Sequence, residues 1–248
     1  MDRVLDIKDL TISFDGFKAV NNISTSVKKG DIHFFIGPNG AGKTTLLDAI
    51  CGRVKPAAGS IIFKDNSDVT KLAEHEIVER GIGRKFQVPS VFNSITVFEN
   101  MELAAEKKRT IYSTLFTKLS REQMERIEYV LNTIGLYEKR FEAPAALSHG
   151  EKQWLEIGML FVQEPEIMLL DEPVAGMGRK ETDKTGELLK EIAKDCSVIV
   201  VEHDMDFVRE CASTVTVLHE GTLLVEGDME DVQKHPRVIE VYLGRGGE

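Results

Sequence analysis

Gly37-Pro38-Asn39-Gly40-Ala41-Gly42-Lys43-Thr44-Thr45 follows the apolar run Ile32-His33-Phe34-Phe35-Ile36 and leads into the helix-forming run Thr45 to Ile50. Gly37, Gly42, Lys43 and Thr44 satisfy the pattern of a P-loop, and a strand before it with a helix after it is the context that pattern requires. Glycines at 37, 40 and 42 let the backbone turn back on itself, so that successive N–H groups point into one anion-sized hollow. The helix that follows adds its unpaired N–H groups and the positive end of its dipole. Lys43 is then placed to reach the β- and γ-phosphates of a nucleotide, and the Thr44 hydroxyl to help hold Mg²⁺. The alternative is a glycine-rich turn in some other α/β protein, and the flanking strand and helix argue against it.

The remaining composition is that of an ordinary globular chain: 248 residues, 42% apolar and 29% charged. That length allows one large domain or two small ones. No run approaches the roughly 18 apolar residues needed to span a bilayer, and Met1-Asp2-Arg3 lacks the layout of a signal peptide, so the chain is expected in the cytosol. The formal charge of −10, from 41 acids against 31 bases, argues against a broad nucleic-acid-binding face. Cys51, Cys196 and Cys211 are widely spaced in apolar or helical contexts and read as buried small hydrophobes, not ligands or disulfides.

Working outward, alternation of apolar and polar residues predicts strands over Val4 to Phe14 and Lys18 to Val27, joined at Asp15-Gly16. Short strands are expected at Ser60 to Lys64 and Ile82 to Phe86, with a brief helix at Glu74 to Arg80 closed by Gly81. Between Phe92 and Phe161 the period changes. Val97 to Lys107, Arg121 to Ile134 and Glu151 to Phe161 carry apolar residues at three- and four-residue spacing, the middle one capped by Ser120 and ended by Gly135. Lys107 to Lys118 is expected to be a loop or helix extension. From Glu166 the α/β rhythm resumes, with continuous apolar runs Ile167 to Leu170 and Val198 to Val201 that fit strands covered on both faces. Lys180 to Lys194 and Met205 to Ala212 read as helices, Thr214 to Leu218 and Leu223 to Glu226 as a hairpin, and Asp231 to Leu243 as mostly short helix.

Two further clusters carry chemistry. Ile167-Met-Leu-Leu-Asp-Glu-Pro173 ends an apolar strand in two carboxylates, at the sheet edge where open α/β folds bind ligands. Asp171 suits Mg²⁺, mostly through its water shell, and Glu172 suits the orientation and deprotonation of an attacking water. The second is Val201-Glu-His203-Asp204, where a histidine at the end of a buried strand can bond a γ-phosphate; a satisfied surface histidine is the alternative.

With these residues together, the chain resembles the ATP-binding subunits of ABC transporters over essentially its whole length. The resemblance implies an α/β fold: a P-loop NTPase core with an antiparallel β subdomain and an inserted α-helical subdomain. Within one domain over 1–248, residues 1–90 with 166–248 would form the core and 91–165 the helical subdomain. Leu147-Ser-His-Gly-Glu151 occupies the place of the family signature. The implied assembly stacks two subunits head to tail, each ATP held between the P-loop of one and Ser148 and Gly150 of the other, with a helix starting at Ser148 offering N–H groups and a hydroxyl. Gln87 matches the family's hinge glutamine, which contacts Mg²⁺ and the water. Phe14 matches the aromatic residue that stacks on adenine, with Phe17 the second candidate and a core phenylalanine the alternative for both; stacking is worth about 1 kcal/mol. The chain departs from the family in two places. The signature usually reads Leu-Ser-Gly-Gly-Gln, whereas His149 and Glu151 stand at its third and fifth positions. After Glu172 and Pro173 the family often has Ser-Ala-Leu-Asp, whereas here the loop reads Ala175-Gly-Met-Gly178.

Within the family, Lys85-Phe-Gln-Val-Pro-Ser-Val-Phe92, Lys152-Gln-Trp-Leu-Glu-Ile-Gly-Met-Leu160 and Arg237-Val-Ile-Glu-Val-Tyr-Leu-Gly244 are similar to the ATPases of urea and short-chain amide uptake. The alternative is import of branched-chain amino acids. The resemblance implies ATP and Mg²⁺ as cofactors, transmembrane permease subunits and a second ABC ATPase subunit, identical or homologous, as partners, and a peripheral place on the cytoplasmic face of the bacterial inner membrane. A permease helix would dock around Gln87 to Glu99, with Val91 and Phe92 exposed there. A non-transport ABC protein acting on DNA or the ribosome, and a P-loop kinase, are the other readings. The first calls for coiled-coil insertions, a fused second cassette or basic segments, and the second has no use for the signature, Gln87 or His203.

Overall fold

The computed structural model describes residues 3–64, 66–85, 91–106 and 119–243. Strands β1 (Arg3–Phe14), β2 (Phe17–Lys28), β4 (Ala58–Phe63) and β5 (Ser67–Asp68) form an antiparallel sheet in the order β2-β1-β4-β5. Strands β3 (Ile32–Ile36), β6 (Ile82–Lys85), β7 (Ile167–Asp171), β8 (Ser197–Val201), β9 (Thr214–His219) and β10 (Thr222–Gly227) form a second sheet, ordered β10-β9-β3-β8-β7-β6. Its strands pair parallel except β10, which pairs antiparallel with β9.

β3, β7 and β8 are buried at every position, as their unbroken apolar runs predict. Their side chains alternate between two cores. Phe34, Ile36, Met168, Leu170, Val198 and Val200 face one; Phe35, Leu169, Ile199 and Val201 face the other. The second core lies under the antiparallel sheet. There Leu5, Ile7, Leu10 and Ile12 of β1 meet Leu46, Leu47 and Ile50 of the P-loop helix Lys43–Ile50. Each such fully buried Leu or Ile contributes about 1.5–3 kcal/mol, so the P-loop helix is fixed by its own apolar face.

The other core holds the helices Val97–Ala105, Arg121–Thr133, His149–Phe161 and Arg179–Ile192. The first three begin at reciprocal capping boxes, Thr96 with Glu99, Ser120 with Gln123 and Ser148 with Glu151. Trp154 joins the third helix to the fourth, its indole N–H donating to Thr185 Oγ1 at 2.8 Å. Element ends move by a residue or two from expectation. Ser148 is the N-cap of its helix, not its first helical residue, because its hydroxyl accepts the Glu151 N–H. The short edge strand β5 was not expected, and the tail forms two helices, Met229–Lys234 and Pro236–Leu243. The segment Lys107 to Lys118 lies outside the described residues, as does Phe86. All three cysteines are free and buried.

This topology decides where the site lies. Phe35, Val201 and Asp171 pair in register across β3, β8 and β7. The P-loop, His203 and the two carboxylates therefore leave the sheet side by side at its carboxyl edge.

Candidate nucleotide-binding and hydrolysis site

The P-loop is wedged between the two sheets, which explains two of its glycines. Gly37 has φ +147° and a Cβ there would stand 2.1 Å from the Leu218 carbonyl oxygen of β9. Gly42 has φ +98° and its Cβ would stand 2.4 Å from the Ala19 carbonyl oxygen of β2. The Gly221 N–H, in the turn between β9 and β10, donates to Ala41 O at 3.2 Å and closes the third side. The helix beyond Gly42 has no side-chain cap, so the first-turn N–H groups of Thr44 and Thr45 are left for an anion. Lys43 folds back over the loop, donating to Gly37 O at 2.7 Å and Pro38 O at 3.1 Å. Burial lowers its pKa, with the charges of Glu172 and Asp171 acting the other way. Pro38 is half-buried, and Asn39 and Gly40 are exposed at the loop's outer rim.

Facing Lys43 are the acids. Asp171 is buried, and among the described residues neither carboxylate oxygen has a hydrogen-bond partner at full bonding geometry; Arg84 Nη2 stands 3.7 Å away and the Thr44 side chain also faces the carboxylate. Burial raises its pKa against the pull of Arg84. No group of three or more His, Cys, Asp or Glu side chains among the described residues could hold a metal ion. An orphaned buried carboxylate beside a hydroxyl at a phosphate hollow is nevertheless the donor set that fits Mg²⁺, which shares its coordination with nucleotide oxygens and waters. Glu172 follows in the left-handed region at φ +49°, its N–H donating to Val201 O at 2.9 Å. That turn presents the carboxylate to the rim, 3.5 Å from His203 Nδ1.

Two residues of this site were not singled out in the sequence. Glu202, 1% exposed, accepts the Val174 N–H on one oxygen (3.3 Å) and the His203 and Asp204 N–H groups on the other (2.9 and 3.4 Å). Burial raises its pKa, and the three N–H groups oppose the shift. Arg84, near the end of β6, pairs with Asp48 of the P-loop helix at 2.6 Å as well as with Asp171. The available signal was an ionisable residue adjoining each apolar strand end.

Other expected residues lie apart. Ser148, Gly150 and Glu151 head the helix His149–Phe161; Glu151 accepts the Ser148 N–H at 3.0 Å and pairs with Lys139 at 2.9 Å, which gives the unusual fifth signature residue a structural task. Phe14 and Phe17 face each other across the β1–β2 turn and are 47% and 70% exposed, so neither is a core phenylalanine. Gln87 lies outside the described residues.

A phosphate hollow, a carboxylate pair at a strand end and a histidine just past the end of the adjacent strand define a P-loop ATPase of cassette form. Residues 20–175 match the family described as ABC transporter, and residues 222–248 match the branched-chain amino acid ATP-binding cassette transporter family. The chain belongs to the ABC transporter ATPase family, and it hydrolyses ATP. It is 34% identical to the high-affinity branched-chain amino acid transport ATP-binding protein LivG of Salmonella typhimurium, over 97% of this chain and 98% of that one. Among solved structures it is similar to the ADP conformation of the cassette MJ1267 (TM-score 0.86, 29% identity, 98% of this chain and 100% of that one). It is also similar to the dimeric cassette MJ0796 (TM-score 0.75, 26% identity, 91% and 98%). LivG and the family matched by residues 222–248 carry branched-chain amino acids in their names, so the comparisons favour that alternative over urea and short-chain amides. No helix among the described residues is long and apolar enough to cross a membrane.

Proposed function

We propose that this chain is the ATP-hydrolysing subunit of an importer for branched-chain amino acids, working with transmembrane permease subunits from the cytoplasmic face of the membrane. What carries the reading is the gathering of Lys43, Thr44, Asp171, Glu172 and His203 at one sheet edge, in a chain alike end to end to LivG. Residues 1–90 with 166–248 serve as the nucleotide-binding core and 91–165 as the helical signature subdomain. Two cassettes stack head to tail, and each ATP lies between one P-loop and the other chain's Ser148 and Gly150. The dimeric relative supports that arrangement.

In the closed sandwich, backbone N–H groups of residues 40–45 and the Lys43 ammonium hold the β- and γ-phosphates. Thr44, Asp171 and Gln87 would hold Mg²⁺, which would supply positive charge against the phosphates as the transition state forms. The Glu172 carboxylate takes the proton of a water as its oxygen attacks the γ-phosphorus in line. The bond from that phosphorus to the β-bridging oxygen breaks, and ADP and phosphate leave. His203 bonds the γ-phosphate and, through Nδ1, faces the carboxylate of Glu172.

The permease surface is proposed around Gln87 to Glu99, of which 87–90 lie outside the described residues; Val91, expected to be exposed, is instead half-buried against the helical core. Phe92 is 54% exposed, yet its backbone is clamped at N–H and C=O by the Asn100 side chain (2.9 and 3.0 Å), so an apolar ring is held out from a fixed position. Urea or short amides are the second reading, favoured by the strings around Lys85, Lys152 and Arg237. Reconstitution with its permease in proteoliposomes separates them. Hydrolysis stimulated by leucine supports the first reading, and stimulation by urea alone replaces it with the second.

A further inference from the structure

The two departures from the family pattern touch each other. His149, in place of a signature glycine, has Nε2 3.1 Å from the carbonyl oxygen of Ala175, in the loop that lacks the usual Asp. A carbonyl only accepts, so Nε2 carries the proton and donates. A second tie lies beside it. Ser148 Oγ donates to Glu181 Oε1 at 3.2 Å, and Glu181 Oε2 accepts the Gly178 N–H at 3.2 Å. Gly150 lies so close that a Cβ on it would stand 2.5 Å from that carboxylate. The other end of the loop is held by Glu202, through the Val174 N–H, and by the Glu172 N–H on Val201 O. The same Glu202 carboxylate holds the backbone of His203.

We propose that His149 and Glu202 are positioning residues that turn loop 172–178 into an internal strut. One end is His203, its backbone held by Glu202 and its side chain meeting the γ-phosphate of the chain's own ATP. The other is Ser148, presented to the ATP of the second cassette. Both act on the backbone, His149 at the Ala175 carbonyl and Glu202 at the Val174 and His203 N–H groups. In this chain the His149–Ala175 bond supplies a link between the two sites that the loop's missing Asp does not. The proposal rests on the cross-dimer reading of Ser148 given above.

The test uses the full chain carrying Glu172→Gln and reads the Mg-ATP concentration at half-maximal dimer formation by light scattering. His149→Phe keeps a ring and removes the donor; His149→Gln keeps an N–H at similar reach. His149→Phe is expected to raise the midpoint about three- to tenfold, the range a neutral hydrogen bond supports, and His149→Gln to recover most of it. Binding of a fluorescent ATP analogue to the monomeric chain stays unchanged in both. Glu202→Gln, which leaves a backbone N–H facing an amide, moves the midpoint in the same direction. An unchanged midpoint for His149→Phe, or equal impairment by His149→Gln, overturns the strut. Ser148→Arg in the same background separates the two readings. If that variant still dimerises with ATP, the cross-dimer reading fails. If it does not, while His149→Phe behaves as the parent, only the strut fails.

Discussion

Lys85 ends β6 and pairs at 3.1 Å with Glu156, in the middle of the helix headed by Ser148; their side chains are 5% and 4% exposed. Glu156→Leu removes the ion-pair partner that Lys85 has among the described residues and leaves the ammonium buried. Breaking one side of a buried pair costs about 3–5 kcal/mol, because the remaining charge keeps its desolvation penalty. At about 2–4 °C per kcal/mol for a chain of this size, the midpoint of thermal unfolding falls by roughly 6–20 °C. The double variant Lys85→Met with Glu156→Leu removes both charges at similar volume, so it should regain most of the loss or exceed the parent. Thermal unfolding followed by circular dichroism at fixed protein concentration, without nucleotide, measures all three proteins. A single variant within about 1 °C of the parent, or a double variant no better than the single, would show that the buried pair does not carry this stability.

Phe92→Asp should abolish co-purification with the permease while nucleotide binding by the isolated chain is retained; unchanged co-purification removes the docking surface from that ring. Burial, with the Asp195 charge beside it, pushes the Cys196 thiol up to about 12 from 9.0. The folded state thus keeps a proton that the unfolded chain loses near pH 9, so this contribution is intact below pH 9 and drains away as pH rises towards 12. Cys196→Ala should flatten the alkaline fall in unfolding midpoint relative to the parent, and parallel curves from pH 8 to 11 would contradict this.

The P-loop, the strand ending in Asp171 and Glu172 and the histidine at 203 were legible because each is local: an apolar run, then a polar residue at its end. The buried runs β3, β7 and β8 announced themselves in the same way. Glu202 and Arg84 were not legible, because their roles depend on sheet order. Only once β7 lies beside both β8 and β6 does Glu202 meet the Val174 N–H and Arg84 meet Asp171. The β1–β2 hairpin showed in the alternation around Asp15-Gly16, but the pairing of β1 with β4, some fifty residues on, left no local mark. The transported solute is a different matter. No residue of the cassette is called on to touch it, so the site carries no chemistry from which to read it.

Two of these chains are proposed to close around ATP, with Glu172 as the base. The decisive experiment is size-exclusion chromatography with light scattering on Glu172→Gln, with and without Mg-ATP. A monomer without nucleotide and a dimer with it are expected, at less than a hundredth of the parent's turnover, as loss of a general base implies. A monomer in both conditions, or hydrolysis at the parent's rate, would contradict that proposal.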